Sequence, residues 1–421
     1  MRKMKDSGVE WLGEVPAEWD FDRLGSFFAL RNERVSDEEY IPLSVTMGGV
    51  VPQLSHVAKS DDHANRKLVC KGDFAINSRS DRRNSCGFAS QDGSVSLINT
   101  ICVPRGEIES RYFGYLFDSS QWSDEFYSWG HGIVADLWTT GWNDMKKILL
   151  PVPPLDEQRR IADCLDEKCA EIDRAVSAAE QSIEEYRAYQ NDVVKRAIVY
   201  GTCNAFKVKE SGVPAIGKMN ASWSLVMVKR LAVFLNGDRS DSYPSGDDIQ
   251  ETGIPFITSG DLNGRYLPDV FSKYISQDKY DSLKGVKLQR GDVVFCLRGS
   301  VGKCSLNRTE NCGTVASSLT VARPICCAPE WLSYALTCLS TTNQAMATAI
   351  GATSANLAAN VLARAFVPLP PLSEQRRIAD YLDEKCAQID AAIAAKQAII
   401  TDLKAYKQSL IYEAVTGKRE V

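Results

Sequence analysis

Two stretches of the chain carry apolar residues at alternating steps of three and four. The first series is Ile161, Leu165, Cys169, Ile172, Val176, Ala179, Ile183 and Tyr186, then Val193 and Ala197. The second is Ile378, Leu382, Cys386, Ile389, Ile393, Ile400, Leu403, Leu410 and Ala414. This spacing gathers the apolar side chains into one narrow stripe of a helix, the seam of a coiled coil. Each stretch opens on Pro-Pro-Leu, with Asp156 or Ser373 placed to accept hydrogen bonds from the first free backbone N–H groups. Glu157 and Glu374 set negative charge against the positive helix end. Neither Pro nor Gly then interrupts the pattern until Gly201 and Gly417, where a left-handed glycine predicts the stop. Two helices of about 45 residues follow, roughly 65–70 Å long at ~1.5 Å per residue. A helix of that length that is polar on most faces needs a partner, and each has the other.

The two stretches are near copies. Residues 151–170 and 368–387 agree at 17 of 20 positions, at an offset of 217. A second match lies upstream of each copy. Lys5, Ser7, Gly8, Val9, Gly13 and Trp19 correspond to Lys209, Ser211, Gly212, Val213, Gly217 and Trp223. Gly72-Asp73 with Arg79 corresponds to Gly291-Asp292 with Arg298. A period above 200 residues means duplication of a whole module rather than a solenoid. The order is a globular domain (1–150), a helix (151–204), a second domain (205–367) and a second helix (368–421). The link from Gly201 to Lys209 is close in length and charge to the C-terminal GKREV joined to the N-terminal MRKMK. The chain ends are therefore expected at a place equivalent to that link, in a pseudo-two-fold molecule whose helices pair antiparallel. Domain sequences have diverged while the helix starts have not, which suggests that the two starts contact identical partner subunits. Glu157, Gln158, Arg159, Arg160, Glu374, Gln375, Arg376 and Arg377 are the candidate contacts.

The two domains are rich in Gly, Ser and Thr, with short β-like runs at 74–76, 254–258 and 293–295 and helical stretches near 110–128 and 329–348. The fold class is α+β. The net charge of −5 speaks at first against a nucleic-acid partner, but it is unevenly spread. Residues 1–150 carry −5 and 151–204 carry −4, whereas 205–367 carry +4 and 368–421 are neutral. Within the acidic first domain lies a basic loop just after a strand, Arg79-Ser80-Asp81-Arg82-Arg83-Asn84. The second domain has Arg298-Gly299-Ser300-Val301-Gly302-Lys303 at the matching place. Arg can bind guanine bidentately, Asn can bind adenine, and Ser or Gly backbone N–H groups suit phosphates. Arg79, Arg82, Arg83, Asn84, Arg298, Ser300 and Lys303 are therefore candidate DNA contacts, against the plainer reading of a solvated turn.

Catalytic and metal motifs fail on inspection. The thirteen cysteines include no C-x-x-C pair, and the three histidines have no zinc spacing, so the cysteines read as small buried hydrophobes and no metal site is expected. A phosphate loop ending at Cys304 would need Gly at Leu297 and Ser or Thr at Cys304. Both Pro-Pro pairs are followed by Leu, unlike the loop of an amino-methyltransferase. No apolar run is long enough to span a bilayer and no signal peptide is visible, so a soluble, cytoplasmic protein without a membrane partner is expected.

The Pro-Leu-Pro-Pro-Leu-Ser-Glu-Gln-Arg-Arg-Ile-Ala segment at 368–379, its twin at 151–162 and the Ser-Gly-Val-x-x-x-Gly openings resemble the specificity subunit of type I restriction-modification enzymes. The resemblance covers nearly the whole chain. It implies two α/β target-recognition domains separated by two conserved spacer helices that pair as an antiparallel coiled coil. Each domain would read one half of a bipartite double-stranded DNA target, and the coiled coil would set the gap. It implies docking of two methyltransferase subunits and recruitment of restriction subunits. Those partners would use S-adenosylmethionine, ATP and Mg, and this chain would be non-catalytic, with no cofactor of its own. A specificity subunit of a type IIB-like system, and a coiled-coil scaffold without a DNA role, remain the alternatives.

Overall fold

The computed structural model describes residues 2–54, 65–79, 82–132, 138–203, 207–310, 313–348 and 357–421. Ser80 and Asp81 of the first basic loop, residues 204–206 of the link, and two of the three histidines, His56 and His63, lie outside them. The chain divides into two compact units. One holds Met1–Glu180 with Gln397–Val421, the other Gln181–Lys396.

In the first unit a four-stranded antiparallel sheet is built from β1 (Phe28–Arg31), β2 (Phe74–Asn77), β3 (Cys86–Phe88) and β4 (Asn99–Pro104), in the order β1-β4-β2-β3. Helices α1 (Ser110–Asp118) and α2 (Ser120–Ser128) follow. Phe28 and Phe74 from the sheet meet Phe113, Phe117 and Trp122 from the helices. Phe74–Phe117 and Phe117–Trp122 ring centroids are 4.5 and 4.7 Å apart, so the core is a tilted aromatic stack.

The next element is α3, Leu155–Tyr200, of 46 residues, which passes into the second unit. There the sheet repeats with β5 (Ala232–Asn236), β6 (Val293–Cys296), β7 (Cys304–Leu306) and β8 (Leu319–Pro324), in the order β5-β8-β6-β7. Helices α4 (Pro329–Thr337) and α5 (Leu339–Thr348) occupy the places of α1 and α2. The last helix, α6, spans Leu372–Val415, 44 residues. The units diverge in their smaller sheets. The three-stranded sheet of the first unit is antiparallel, whereas in the second Ile254–Ile257 pairs in parallel with Thr314–Val315.

Within each unit the end of one long helix runs antiparallel to the start of the other. In the first unit Lys407 Nζ meets both oxygens of Asp173 at 2.7 Å, and Lys404 lies 3.6 Å from Glu180. In the second unit the duplicated positions are Gln190 and Asp390, joined by a 2.9 Å hydrogen bond. The ion pair of one unit is a neutral-to-charged hydrogen bond in the other, at the same register. The predicted stripe faces inward. Ile161, Leu165, Cys169 and Ile172 are buried in the first unit, and Val193 and Ala197 share one core with Ile378, Leu382 and Cys386 in the second. Tyr186, Ile393 and Leu403 are only half-buried.

Both helix stops are left-handed glycines, Gly201 at φ 94° and Gly417 at φ 70°. Each is pressed on the matched tryptophan of its unit. A Cβ would come within 3.2 Å of Trp223 at Gly201 and within 2.9 Å of Trp19 at Gly417. The starts differ from expectation. The helices begin at Leu155 and Leu372, so Asp156 and Ser373 lie inside the first turn rather than capping it. The carbonyl of Pro154 takes the N–H groups of Glu157 and Gln158, and that of Pro371 takes the N–H of Gln375. Proline already fixes the backbone angle that leads into the helix, so each helix starts two residues earlier than a cap at Asp156 or Ser373 would place it.

Candidate nucleic-acid interface

The two basic loops join equivalent strands, β2 to β3 and β6 to β7. Their bases are fastened alike. The Ser78 carbonyl accepts the N–H of Thr140 at 3.0 Å, and the Leu297 carbonyl accepts that of Leu357 at 2.8 Å. Below each loop sits the matched Gly-Asp turn, with Gly72 at φ 90° and Gly291 at φ 87°. Asp73 accepts from the Cys70 N–H and from Arg31 Nε at 2.7 Å; Asp292 accepts from the Gln289 N–H and from Arg323 Nε at 2.8 Å. The arginine comes from a different strand in each case, β1 or β8, yet neutralises the same buried carboxylate. These pairs brace the sheet beside the loops.

The candidate residues fare differently. Arg79 and Arg82 are exposed. Arg83 is exposed but held by its own domain, 2.7 Å from Asp124 and over the ring of Tyr127. Asn84 is the one non-glycine residue at positive φ among the described residues, at 58°. Asparagine tolerates that left-handed turn better than most residues, so the turn alone accounts for it. In the second loop Arg298 and Ser300 are exposed, with Gly299 and Gly302 at φ 76° and 95° closing a tight turn. Lys303 Nζ donates to Asn263 Oδ1 at 3.0 Å. Arg298 has no side-chain partner among the described residues.

The duplicated helix start has an internal purpose that the sequence pattern does not reveal. Gln158 is 5% exposed and Gln375 2%. The Gln158 Oε1 accepts the N–H of Glu109, the residue that caps α1, while its Nε2 donates to the Pro153 carbonyl at 2.9 Å. Gln375 repeats this with the N–H of Ala328, the cap residue of α4, at 2.8 Å and the Pro370 carbonyl at 2.9 Å. Each glutamine thus clips the domain helix to the long helix. Glu157 is also buried, bonded by Arg2 and by the indole N–H of Trp19 at 3.1 Å. Of the eight candidate partner contacts, Glu157, Gln158 and Gln375 are therefore corrected: they are buried and bonded within their own units. Glu374 is partly covered and pairs with Arg377, while Arg159, Arg160 and Arg376 are exposed.

Two turns further along, Asp166 and Asp383 fasten the same junction. Asp166 accepts from Tyr115 Oη and Arg111 Nη1, each at 2.7 Å. Asp383 accepts from Tyr334 Oη at 2.7 Å, Tyr266 Oη at 2.7 Å and Arg265 Nε at 2.8 Å. Burial alone would push the Asp383 carboxyl up, but the bonds from Tyr266, Arg265 and Tyr334 outweigh it and hold it below the usual range.

Among the described residues no cluster of His, Cys, Asp and Glu could hold a metal ion, the twelve described cysteines are unpaired, and no helix is long and apolar enough to cross a membrane. Burial pushes the Cys86, Cys304 and Cys327 thiols up to about 12, the state of an inert buried hydrophobe.

Comparison with known proteins agrees with this architecture. Residues 224–404 match the family model of the type I restriction modification DNA specificity domain. The specificity subunit of the type I restriction enzyme EcoBI of Escherichia coli is 23% identical over 65% of the chain and 59% of that relative. That of MjaVIII of Methanocaldococcus jannaschii is 22% identical over 66% of the chain and 63% of the relative. The chain thus spans less than two thirds of the length of these two relatives. The putative MjaX specificity subunit of the same organism is 22% identical, over 97% of the chain and 96% of the relative. Among solved structures, a chain from a study of complex assembly and conformational transition of the type I R-M system superposes with a TM-score of 0.72 at 18% identity, covering 96% of this chain and 99% of that one. The HsdS subunit of Thermoanaerobacter tengcongensis does so at 0.50 and 20%, covering 96% of this chain and 98% of that one. These two likenesses show a shared fold.

Proposed function

We propose that this chain, a member of the type I restriction-modification DNA specificity family through residues 224–404, is the sequence-recognition subunit of such a complex. One observation carries the reading: the same sheet order occurs twice, each copy with a basic loop at the same hairpin and each clipped to a long helix by the same glutamine. Two recognition domains suit a bipartite target, and their divergence suits unlike half-sites. The paired helices then set the gap between them. Two half-sites on one face of B-DNA lie about 34–36 Å apart or a multiple of it, a span within reach of helices of 44 and 46 residues.

Double-stranded DNA and methyltransferase and restriction subunits are the partners this role requires. Two methyltransferase subunits, one at each helix start, fit the duplication, with Arg159, Arg160, Arg376 and Arg377 as the exposed contacts. Adenine methylation with S-adenosylmethionine and DNA cleavage with ATP and Mg belong to those subunits, and this chain acts without a cofactor. The test is a methylome comparison of cells with and without the chain. A bipartite methyladenine motif that vanishes with the chain supports the reading. Identical methylomes, in cells that hold the methyltransferase subunits, refute it.

A further inference from the structure

In the second unit the loop carrying Arg298 forms one wall of a cleft of about 310 Å³. Its polar lining is Asn236, Arg239, Arg298 and Asn360, and Leu297 and Leu357 belong to its apolar lining. These residues come from three separate segments: the end of β5 and the turn after it, the β6–β7 loop, and residues 357–360. No lining residue is acidic. The nearby carboxylate of Asp238 is spent on its own turn. It accepts from the hydroxyl and N–H of Ser240 and from the N–H of Lys284, which hold it down at about 2.

Close backbone approaches frame the cleft. A Cβ at Gly237 would run into the Val315 carbonyl, and one at Gly285 into the Asp238 N–H, so the two backbones approach as only glycine allows. The Leu357 N–H to Leu297 carbonyl bond ties two of the three segments together. Arg239 Nη2 donates to the Ser317 carbonyl at 3.3 Å, which leaves the rest of its fork open. Among the described residues the side chains of Arg298, Asn236 and Asn360 have no partner.

The geometry points to this cleft as the base-reading site of the second recognition domain, taking the major-groove edge of a purine-containing step of duplex DNA. This rests on the DNA-recognition reading above and adds the residues that perform it. Two guanidinium forks match the O6 and N7 acceptors of guanine, two side-chain amides match the N6 and N7 of adenine, and the apolar residues suit a thymine methyl. Arg and Asn side chains also contact phosphate, so base reading is told apart by a loss of sequence preference rather than of affinity alone. Asn236, Arg239 and Asn360 are thus specificity-determining residues beside Arg298.

The test uses the tagged full chain, purified with the methyltransferase subunits that accompany it, to select from a library of synthetic duplexes with a randomised centre at low salt. The unaltered protein is expected to select two fixed half-sites. Arg298→Ala and Arg239→Ala should each lose the preference at one or two adjacent base pairs of one half-site, about tenfold or more. The other half-site and the gap should stay. Arg298→Lys keeps the charge but loses the fork, and should relax the same position. Retention of the full motif by Arg298→Lys, or weakening of all sequences alike by the alanine variants, would overturn base reading here. Failure of the unaltered complex to select any motif would remove the DNA-recognition reading itself, and the inference with it.

Discussion

Gln158 and Gln375 show how a buried polar residue can be mistaken for a surface one. Each follows Pro-Pro-Leu in a charged stretch, and nothing local marks it as covered. Its partner amide is far off in sequence, at Glu109 or Ala328. The signal is present in another form, as identity at both copies, but identity alone equally suggests an external contact. Gln158→Ala and Gln375→Ala each leave a backbone N–H and a proline carbonyl without their partner, and each should cost about 1–3 kcal/mol of stability. Thermal or denaturant unfolding of the single and double variants checks this, and costs in separate units should add. Little change in either variant would mean the clips are idle. Arg79 and Arg298, by contrast, are visible from the matched Gly-Asp turns alone. Asn236, Arg239 and Asn360 are not, because three distant segments with no common motif supply the cleft.

The long helices are the most legible elements. Three-and-four spacing over more than ten turns, near-identity and terminal glycines define their type, length and stops. Only the first turn differs, where proline rather than Asp156 or Ser373 sets the start. The strands at 74–77 and 293–296 are also readable, being apolar runs buried on both faces. Their sheet order is not, since pairing depends on partners far along the chain. The Asp383 junction yields a pH prediction at this scale. A carboxyl held below its unfolded value of ~4 contributes stability that is complete above that value and lost as pH falls through the folded one. Asp383→Asn should therefore flatten the acid limb of the stability curve while lowering stability at neutral pH. Unfolding midpoints between about pH 2 and 7 would show it, and an unchanged acid limb would count against the anchor.

For the molecule as a whole, the charge of −5 is a poor guide, because it averages four segments of different sign. The better guide is duplication. In the first unit the end of α6 meets the N-terminal hairpin, with Tyr412 Oη donating to the Trp11 carbonyl at 2.9 Å. In the second unit Asn220 of the matching hairpin holds the Tyr200 carbonyl at 3.1 Å. In both units the end of a long helix thus meets the N-terminal hairpin of the domain, through different residues, which suits the expected equivalence of the chain ends and the internal link. A permutant opened between Gly201 and Lys209, with the original ends joined, should fold and direct the same methylation pattern. A folded permutant with no methylation would contradict that equivalence. In the proposed role each globular domain reads its own half of a bipartite target. The decisive measurement is methylome sequencing after residues 205–367 are exchanged for the matching segment of one of the similar specificity subunits. A new motif is expected in which one half-site changes while the other half and the gap are kept; a change in both half-sites would rule out independent reading by the two domains.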